Sequence, residues 1–515
     1  MVIIAVSGLL RRLTSAVLLR TLVFVAIFSL AAVPPLDPDL WWHLANGRLI
    51  LALGSWPHAD VYSFSAVGHA WVMHEWLADT GMYLLFSVGG LPLLVAFFAG
   101  VVTAGAVCLF VLLRGSGLHP TACVGLTLVG ALAGSTAWGA RPQLLNLLLT
   151  GLLLCGLIQY RQGRLSAWLL PPFLWLWANL HSGFLVGVIL SVLFLCGEAF
   201  EARRISGGMP RPRLLQLAWA IPVSLALAVV NPYGMETVLF PLGTLTSPLI
   251  QNNIQEWASP DFHSMAGLLF EVVLFTMLLG LATGRVRARA SEWLLAFALL
   301  YLALASQRHV PLFILAAAPI AGRCAQALLA VVASILPALP RRASAAAALQ
   351  SRPMRPSGMN PMVLGALNLG LLAVVATGMI AYRAVPNLRG SSEAAALSAA
   401  LPVQATDALL QLRRPLRVFN YYDYGGYLLW RLYPAGGRVF IDGRVEAYGP
   451  DLFREYLRVN YLANGWPAVI ARYHPDAIVL PSGHPLTTLL DRDPAWQRLS
   501  HDPVATVFIP AAGTP

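Results

Sequence analysis

The sequence predicts an α-helical polytopic membrane protein with about eleven transmembrane helices that ends in a small α/β domain. Three observations carry this prediction. Only 11% of the 515 residues are charged and 58% are hydrophobic, whereas soluble domains average roughly 25% charge. The apolar residues gather into runs near the ~20 residues that a bilayer core demands. Past residue 382 these runs give way to short strand-like and helical stretches of ordinary polarity.

Taken in order, helical spans are predicted at 15–34, 91–113, 120–138, 142–160, 165–180, 183–201, 213–230, 264–283, 291–307, 309–338 and 361–382. The first apolar stretch, 22–34, follows Arg11, Arg12 and Arg20 and has the length of a signal-peptide core. Pro34 and Pro35 make a poor cleavage site, so it reads as a retained signal anchor. The connections alternate in arginine content. Arg11/Arg12, Arg114, Arg161/Arg164, Arg203/Arg204/Arg211/Arg213, Arg285/Arg287/Arg289 and Arg341/Arg342/Arg352/Arg355 fall in one set, which the positive-inside rule assigns to the cytoplasm.

The net charge of +11 is carried by arginine alone, since none of the 34 basic residues is lysine. Topology explains these arginines, and no soluble segment interleaves basic and aromatic residues, so nucleic acid is excluded as a partner. All five cysteines lie in apolar runs, which argues against disulfides and cysteine metal sites.

The opposite connections hold Asp37-Pro38-Asp39, Trp41-Trp42-His43, His74-Glu75-Trp76, Arg141-Pro142-Gln143, Asn179 with His181, Asn231-Pro232-Tyr233, Gln255-Glu256-Trp257 and Gln307-Arg308-His309. Helix ends need polar caps, but acids, amides and histidines recur at nearly every outer turn, which favours one shared outer site over scattered capping. Glu271, inside the span 264–283, is a second candidate; a carboxylate there costs roughly 2.5–3.5 kcal/mol on insertion scales and needs a partner or a wet cavity.

The first outer loop, 36–90, is too polar and too broken by Gly54, Pro57 and Gly68 to cross. Residues 40–53 predict a helix lying in the interface, with Trp41, Trp42, Trp56, Trp71 and Trp76 as headgroup-level anchors. Anchoring leaves Asp37, Asp39, His43, Asp60, His74 and Glu75 unexplained. A carboxylate here can take a proton from an acceptor hydroxyl or hold a divalent metal. Asp39 and His43 are one helical turn apart, and Asp39 equally suits a helix N-cap. His74-Glu75 lacks the second histidine of a zinc-protease motif, because residue 78 is Ala. Serine-hydrolase and nucleotide-binding loops are also missing.

The strings DPDLWWHLANG, HEWL, RPQ, NLHSGF, NPYG, GGYLLWRL and FIDGRVEAYG, on this topological plan, resemble many-spanning GT-C-type glycosyltransferases such as protein mannosyltransferases and aminoarabinose transferase. The resemblance covers 15–340 and departs from the family in having Asp-Pro-Asp after the first span. It implies transfer of a sugar from a polyprenyl-phosphate donor to a glycan, lipid or protein acceptor. It also implies Asp39 or Asp37 as the catalytic acid, Glu75 as a second, and Asp39 and Glu75 as candidate ligands of a divalent metal. Arg141 and Arg308 then suit a donor phosphate, because guanidinium binds its oxygens bidentately, with snorkelling as the alternative. Gln143 and His309 stand beside them. Asn179, His181, Asn231 and Tyr233 are candidates for the acceptor pocket, and His43, Asp60, His74 and Glu256 complete the substrate-binding set.

In the C-terminal region, Arg417–Asn420, 438–442, 477–480 and 505–509 read as strands, and 427–432, 452–459 and 466–473 as helices. Asp423, Gly425, Gly426, Asp442, Arg444, Glu446 and Tyr448 cluster near strand ends, where open α/β sheets bind ligands; turn and cap chemistry is the simpler account of the glycines. The expected organisation is a cytoplasmic segment and first span (1–35), a periplasmic loop (36–90), a helical core (91–338), a cytoplasmic linker (339–360), a last span (361–382) and a periplasmic α/β domain (383–515), in a bacterial inner membrane. Two alternatives stand beside the enzyme: a transporter or flippase of a lipid-linked or polar substrate, and a non-catalytic envelope scaffold.

Overall fold

The computed structural model describes residues 10–204, 208–245, 251, 253–335, 360–388 and 390–511. The expected linker, with Arg341, Arg342, Arg352 and Arg355, lies outside the described residues.

The helices that bear on the site are α1 (Ser15–Ala31), α2 (Leu40–Leu53), α3 (Trp76–Arg114), α4 (Pro120–Ala133), α5 (Leu144–Arg161), α6 (Leu170–Leu180), α7 (Phe184–Arg204), α8 (Arg211–Ala228), α9 (Glu236–Leu245), α10 (Met265–Ala282), α11 (Ala290–Ala305), α12 (Val310–Ile335) and α13 (Pro361–Met379). Among the described residues, six helices are long and apolar enough to cross a membrane: α3, α5, α7, α10, the helix through α12, and the one beginning with α13. Three more, α1, α4 and α11, are apolar but shorter. Local chemistry sets several of the ends. Thr14 accepts the Val17 amide at the start of α1, Ser264 accepts that of Gly267 at the start of α10, and Pro120 and Pro361 occupy first-turn positions where a missing N–H costs nothing. The span expected at 91–113 is the inner part of α3, which starts fifteen residues earlier at Trp76. Gly90, with φ 63° and ψ −162°, turns the chain between the two parts, a conformation that glycine alone adopts freely.

The C-terminal region forms a five-stranded sheet of order β2-β1-β3-β5-β4, built from β1 (Arg417–Asn420), β2 (Arg438–Val439), β3 (Ala477–Pro481), β4 (Trp496–His501) and β5 (Ala505–Pro510). β1 runs parallel to β2 and β3, and β5 is antiparallel to β3 and β4. The helices α14 (Gly425–Leu432), α15 (Val445–Asn460) and α16 (Trp466–Tyr473) connect the strands. β4 escaped the sequence reading because Gln497, Arg498 and Ser500 interrupt its apolar pattern.

The helix expected at 40–53 is α2, and three of the five tryptophans expected as headgroup anchors pack against protein, while Trp56 is 40% exposed. Trp41, Trp42 and Trp71 are 4%, 7% and 6% exposed. Trp42, Tyr62, Trp71 and Met73 share one apolar core with Leu428, Leu429 and Val439 of the C-terminal unit, and Trp41 meets Tyr427 edge to face at 5.1 Å. The loop even extends the sheet beside β2: Phe64 N–H donates to the Val439 carbonyl at 3.0 Å and Val439 N–H to that of Tyr62 at 3.2 Å. Indoles suit a headgroup layer and a protein core equally, so composition did not separate the two.

Candidate active site between the helices and the C-terminal unit

A cavity of about 810 Å³ opens where one set of helix ends meets the C-terminal unit, within the size range of ligand sites. Its walls include Asp37, Asp39, His43, His74, Glu75, Arg141, Gln143, His181, Glu256, Arg308 and His309. Side chains more than 250 residues apart in the sequence thus face one space. Asp423, Arg444 and Glu446 line it from the C-terminal unit.

Asp39 occupies the N-cap position of α2, yet its side chain makes no cap bond. It accepts instead from Trp42 Nε1 at 2.9 Å, while Asp37 accepts the Asp39 backbone N–H at 3.0 Å. Burial, followed by the nearby Asp37 carboxylate, pushes the Asp39 carboxyl up to about 7. Such a group changes charge near neutral pH, as a general base or acid requires.

Glu75 anchors a second, more deeply buried network. His181 Nε2 lies 2.9 Å from Glu75 Oε1 and His74 Nε2 lies 3.6 Å from it. Burial alone would raise the Glu75 carboxyl, but His181 and His74 outweigh it and hold Glu75 well below the usual carboxylate range. The proton on His181 can be assigned from its neighbours. Trp177 Nε1 donates to Asn146 Oδ1 at 2.7 Å, which turns the Asn146 amide nitrogen toward His181 Nδ1 at 2.9 Å. Gly183 N–H also donates to that nitrogen at 2.8 Å. Nδ1 is therefore an acceptor and Nε2 carries the hydrogen, the neutral tautomer that suits a ring whose pKa burial lowers.

His43 closes the network from α2. Its Nδ1 lies 2.7 Å from Asp79 Oδ1 and 3.5 Å from Glu75 Oε2, and Asn46 donates to the other Asp79 oxygen at 2.9 Å. Burial works against a charged His43, but Asp79 and then Glu75 carry its pKa above the usual value. One atom each from His43, Glu75 and Asp79 falls within a 4.8 Å span, and all three residues are buried. This donor set of one imidazole and two carboxylates fits a divalent cation chemically. It uses Glu75 but not Asp39, so the metal-ligand pair implied by the family resemblance does not come together in this cluster.

Arg141 is committed within the protein. Its Nε lies 3.2 Å from Asp37 Oδ2, its Nη1 contacts Glu256, and the Gln143 amide oxygen turns toward the same guanidinium. Arg308 differs. Among the described residues it has no hydrogen bond or ion pair, and its guanidinium rests over the Trp257 ring at 4.7 Å. His309 beside it is buried with Nδ1 lacking a partner among those residues.

Other sequence candidates support loops rather than the cavity wall. Asp60 is buried in an ion pair with Arg444 at 2.7 Å and accepts from Ser63 N–H and Oγ. Asn179 accepts from Trp76 Nε1 at 2.9 Å and donates to the Trp175 carbonyl. Asn231 folds its own turn by accepting from Tyr233 N–H and Thr237 Oγ1, and Tyr233 donates its hydroxyl to the Pro57 carbonyl. Each polar group finds a local partner because an unpaired one in a crowded turn is costly. Glu271, partly exposed on α10, does not line the cavity and has no hydrogen bond or ion pair among the described residues. Sequence reasoning missed Asp79 and Asn146 in these networks, and Tyr421 and Tyr422, which line the cavity from the C-terminal unit. The spacing of Glu75 and Asp79, one helical turn, was the available signal for Asp79.

No family model and no curated protein matches this sequence. Solved structures do match. Aminoarabinose transferase ArnT from Cupriavidus metallidurans, bound to undecaprenyl phosphate, superposes with a TM-score of 0.50 at 16% identity over 97% of this chain and 99% of that one. The archaeal oligosaccharyltransferase AglB from Archaeoglobus fulgidus, with an inhibitory peptide and a dolichol-phosphate, gives 0.52 at 11% identity over 89% and 69%. The mycobacterial arabinofuranosyltransferase AftD gives 0.51 at 14% over 97% of this chain and 40% of that one. The chain has the fold of these GT-C-type transferases.

Proposed function

We propose that this protein is a glycosyltransferase of the bacterial inner membrane that moves a sugar from a polyprenyl-phosphate donor to an acceptor on the periplasmic side. The observation that carries this reading is the convergence of Asp39, Glu75 and Arg308, which has no ion pair among the described residues, on one large cavity, in a fold shared with a transferase bound to undecaprenyl phosphate. The position of the polar groups favours a transferase over a transporter, whose substrate groups sit near the bilayer midplane on broken helices.

In the proposed reaction the Asp39 carboxylate takes the proton of an acceptor hydroxyl as that oxygen attacks the anomeric carbon. The bond from that carbon to the phosphate oxygen breaks, and the phosphate leaves on its lipid. Arg308, without an ion pair among the described residues, offers the leaving phosphate a charge-assisted contact. Arg141, held between Asp37 and Glu256, fixes the Asp37 side of the loop. His43, Glu75 and Asp79 would hold a divalent ion, which would supply positive charge to the reaction.

Purified protein in liposomes, given a radiolabelled polyprenyl-phosphate hexose or pentose and a membrane extract as acceptor source, is expected to shift label out of the donor lipid. Undecaprenyl phosphate should bind, and Arg308→Met should weaken it by about 10- to 100-fold, the equivalent of one lost charged hydrogen bond. Equal binding by wild type and Arg308→Met would remove Arg308 from the phosphate site. No binding by either would remove the polyprenyl-phosphate reading.

A further inference from the structure

The C-terminal strings GGYLLWRL and FIDGRVEAYG approach the Asp37-Pro38-Asp39 turn so closely that only glycine fits. A Cβ on Gly443 would stand 1.8 Å from Asp39 Oδ1 and 2.8 Å from Trp42 Nε1. A Cβ on Gly426 would stand 2.3 Å from the Pro38 carbonyl oxygen. Neither glycine has a positive φ, so space rather than backbone conformation selects it. The two reach the turn from different segments, one at the first turn of α14 and one between β2 and α15.

The loop bearing Gly443 is itself fixed. Arg444 donates to Asp442 through Nε and Nη2 at 2.8 and 2.6 Å and to Asp60 through Nη1 at 2.7 Å. Its guanidinium lies 4.3 Å from the Trp71 ring centre and 4.9 Å from that of Tyr62. One arginine thus ties the loop to Asp60, Tyr62 and Trp71, in the segment that follows the Asp39 turn.

We infer that the C-terminal unit sets the position of the Asp39 carboxylate, with Gly443 and Gly426 as positioning residues, so that the unit is part of the reaction machinery rather than a separate recognition module. The inference rests on the reading of Asp39 as the proton acceptor, but its geometric half can be tested without any substrate.

The atoms that a Gly443 methyl would meet are the ends of two side chains, so Gly443→Ala should fold while displacing Asp39 and breaking its bond from Trp42. Hydrogen exchange on the full chain in detergent reads this. The amides of Leu40 and His43, bonded to the carbonyls of Asp37 and Asp39, should exchange faster in Gly443→Ala. Gly483→Ala, where a Cβ meets nothing within 4 Å, should leave them unchanged. In the transfer assay Gly443→Ala should lower kcat by about 100-fold, the scale of a small misplacement of a reacting group, with donor KM within about twofold of wild type. Adding Gly443→Ala to Asp39→Ala should cause no further loss of turnover.

Unchanged exchange at Leu40 and His43 would overturn the inference even if transfer is confirmed. Faster exchange in a protein that binds no polyprenyl phosphate would uphold the positioning and overturn only the assigned reaction. Should Gly443→Ala fail to fold, Tyr422→Phe, which removes the hydroxyl that donates to the Gly443 carbonyl at 3.4 Å without adding an atom, supplies the comparison; exchange at Leu40 and His43 equal to wild type in that variant would be fatal.

Discussion

Replacing Asp39 by Asn is expected to lower kcat by about 10²- to 10⁴-fold, the contribution of a positioned general base, while undecaprenyl phosphate binding stays close to wild type. Asparagine keeps the shape and still accepts from Trp42 Nε1, so the loss isolates the proton-accepting function. The pH profile gives a second measure. Burial and then Asp37 lift the Asp39 carboxyl to about 7, and only the ionised form accepts a proton. Activity as kcat/KM should therefore rise with pH through about 7 rather than through the usual carboxylate range. The neighbouring negative charge of Asp37 disfavours ionisation of Asp39, so Asp37→Asn should move this limb to lower pH. An Asp39→Asn enzyme with undiminished turnover, or a limb indifferent to Asp37→Asn, would exclude Asp39 as the base.

The half of the site built by the helices was legible because charge is expensive in lipid and therefore informative. Asp37, Asp39, Glu75, Arg141 and Arg308 stood out at the arginine-poor ends of predicted spans, and all of them line the cavity. What sequence could not separate was a polar group facing the cavity from one closing its own turn. Asn231 and Asn179 have the same chemistry as a substrate ligand, and only their partners reveal that they hold loops. The packing of Trp42 and Trp71 was hidden for a related reason, since the C-terminal core they share is built from residues over 300 positions away.

Contacts between the two ends of the chain were illegible in principle. Arg444 and Asp60 are separated by 384 positions, and nothing local in either string names the other. The same holds for the approach of Gly443 to Asp39. Gly443 drew no reading of its own from the sequence, and its missing side chain makes room for a carboxylate from the opposite end of the protein.

That long-range ion pair carries the largest expected effect on stability. Arg444, Asp60 and Asp442 are 2%, 1% and 0% exposed, so one guanidinium compensates two carboxylates out of reach of water. Arg444→Met should destabilise the protein by about 3–5 kcal/mol, the cost of leaving buried charge without its partner. It should appear as a large fall in the denaturation midpoint in detergent. The cause is separable from lost packing over Tyr62 and Trp71, because methionine retains much of the apolar stem. Removing all three charges together, as Asp60→Asn, Asp442→Asn and Arg444→Met, should recover most of the loss, since each neutral group then avoids the desolvation penalty. If the triple variant is no more stable than Arg444→Met alone, uncompensated charge is not what the arginine prevents, and its stacking on the two rings holds the halves of the protein together.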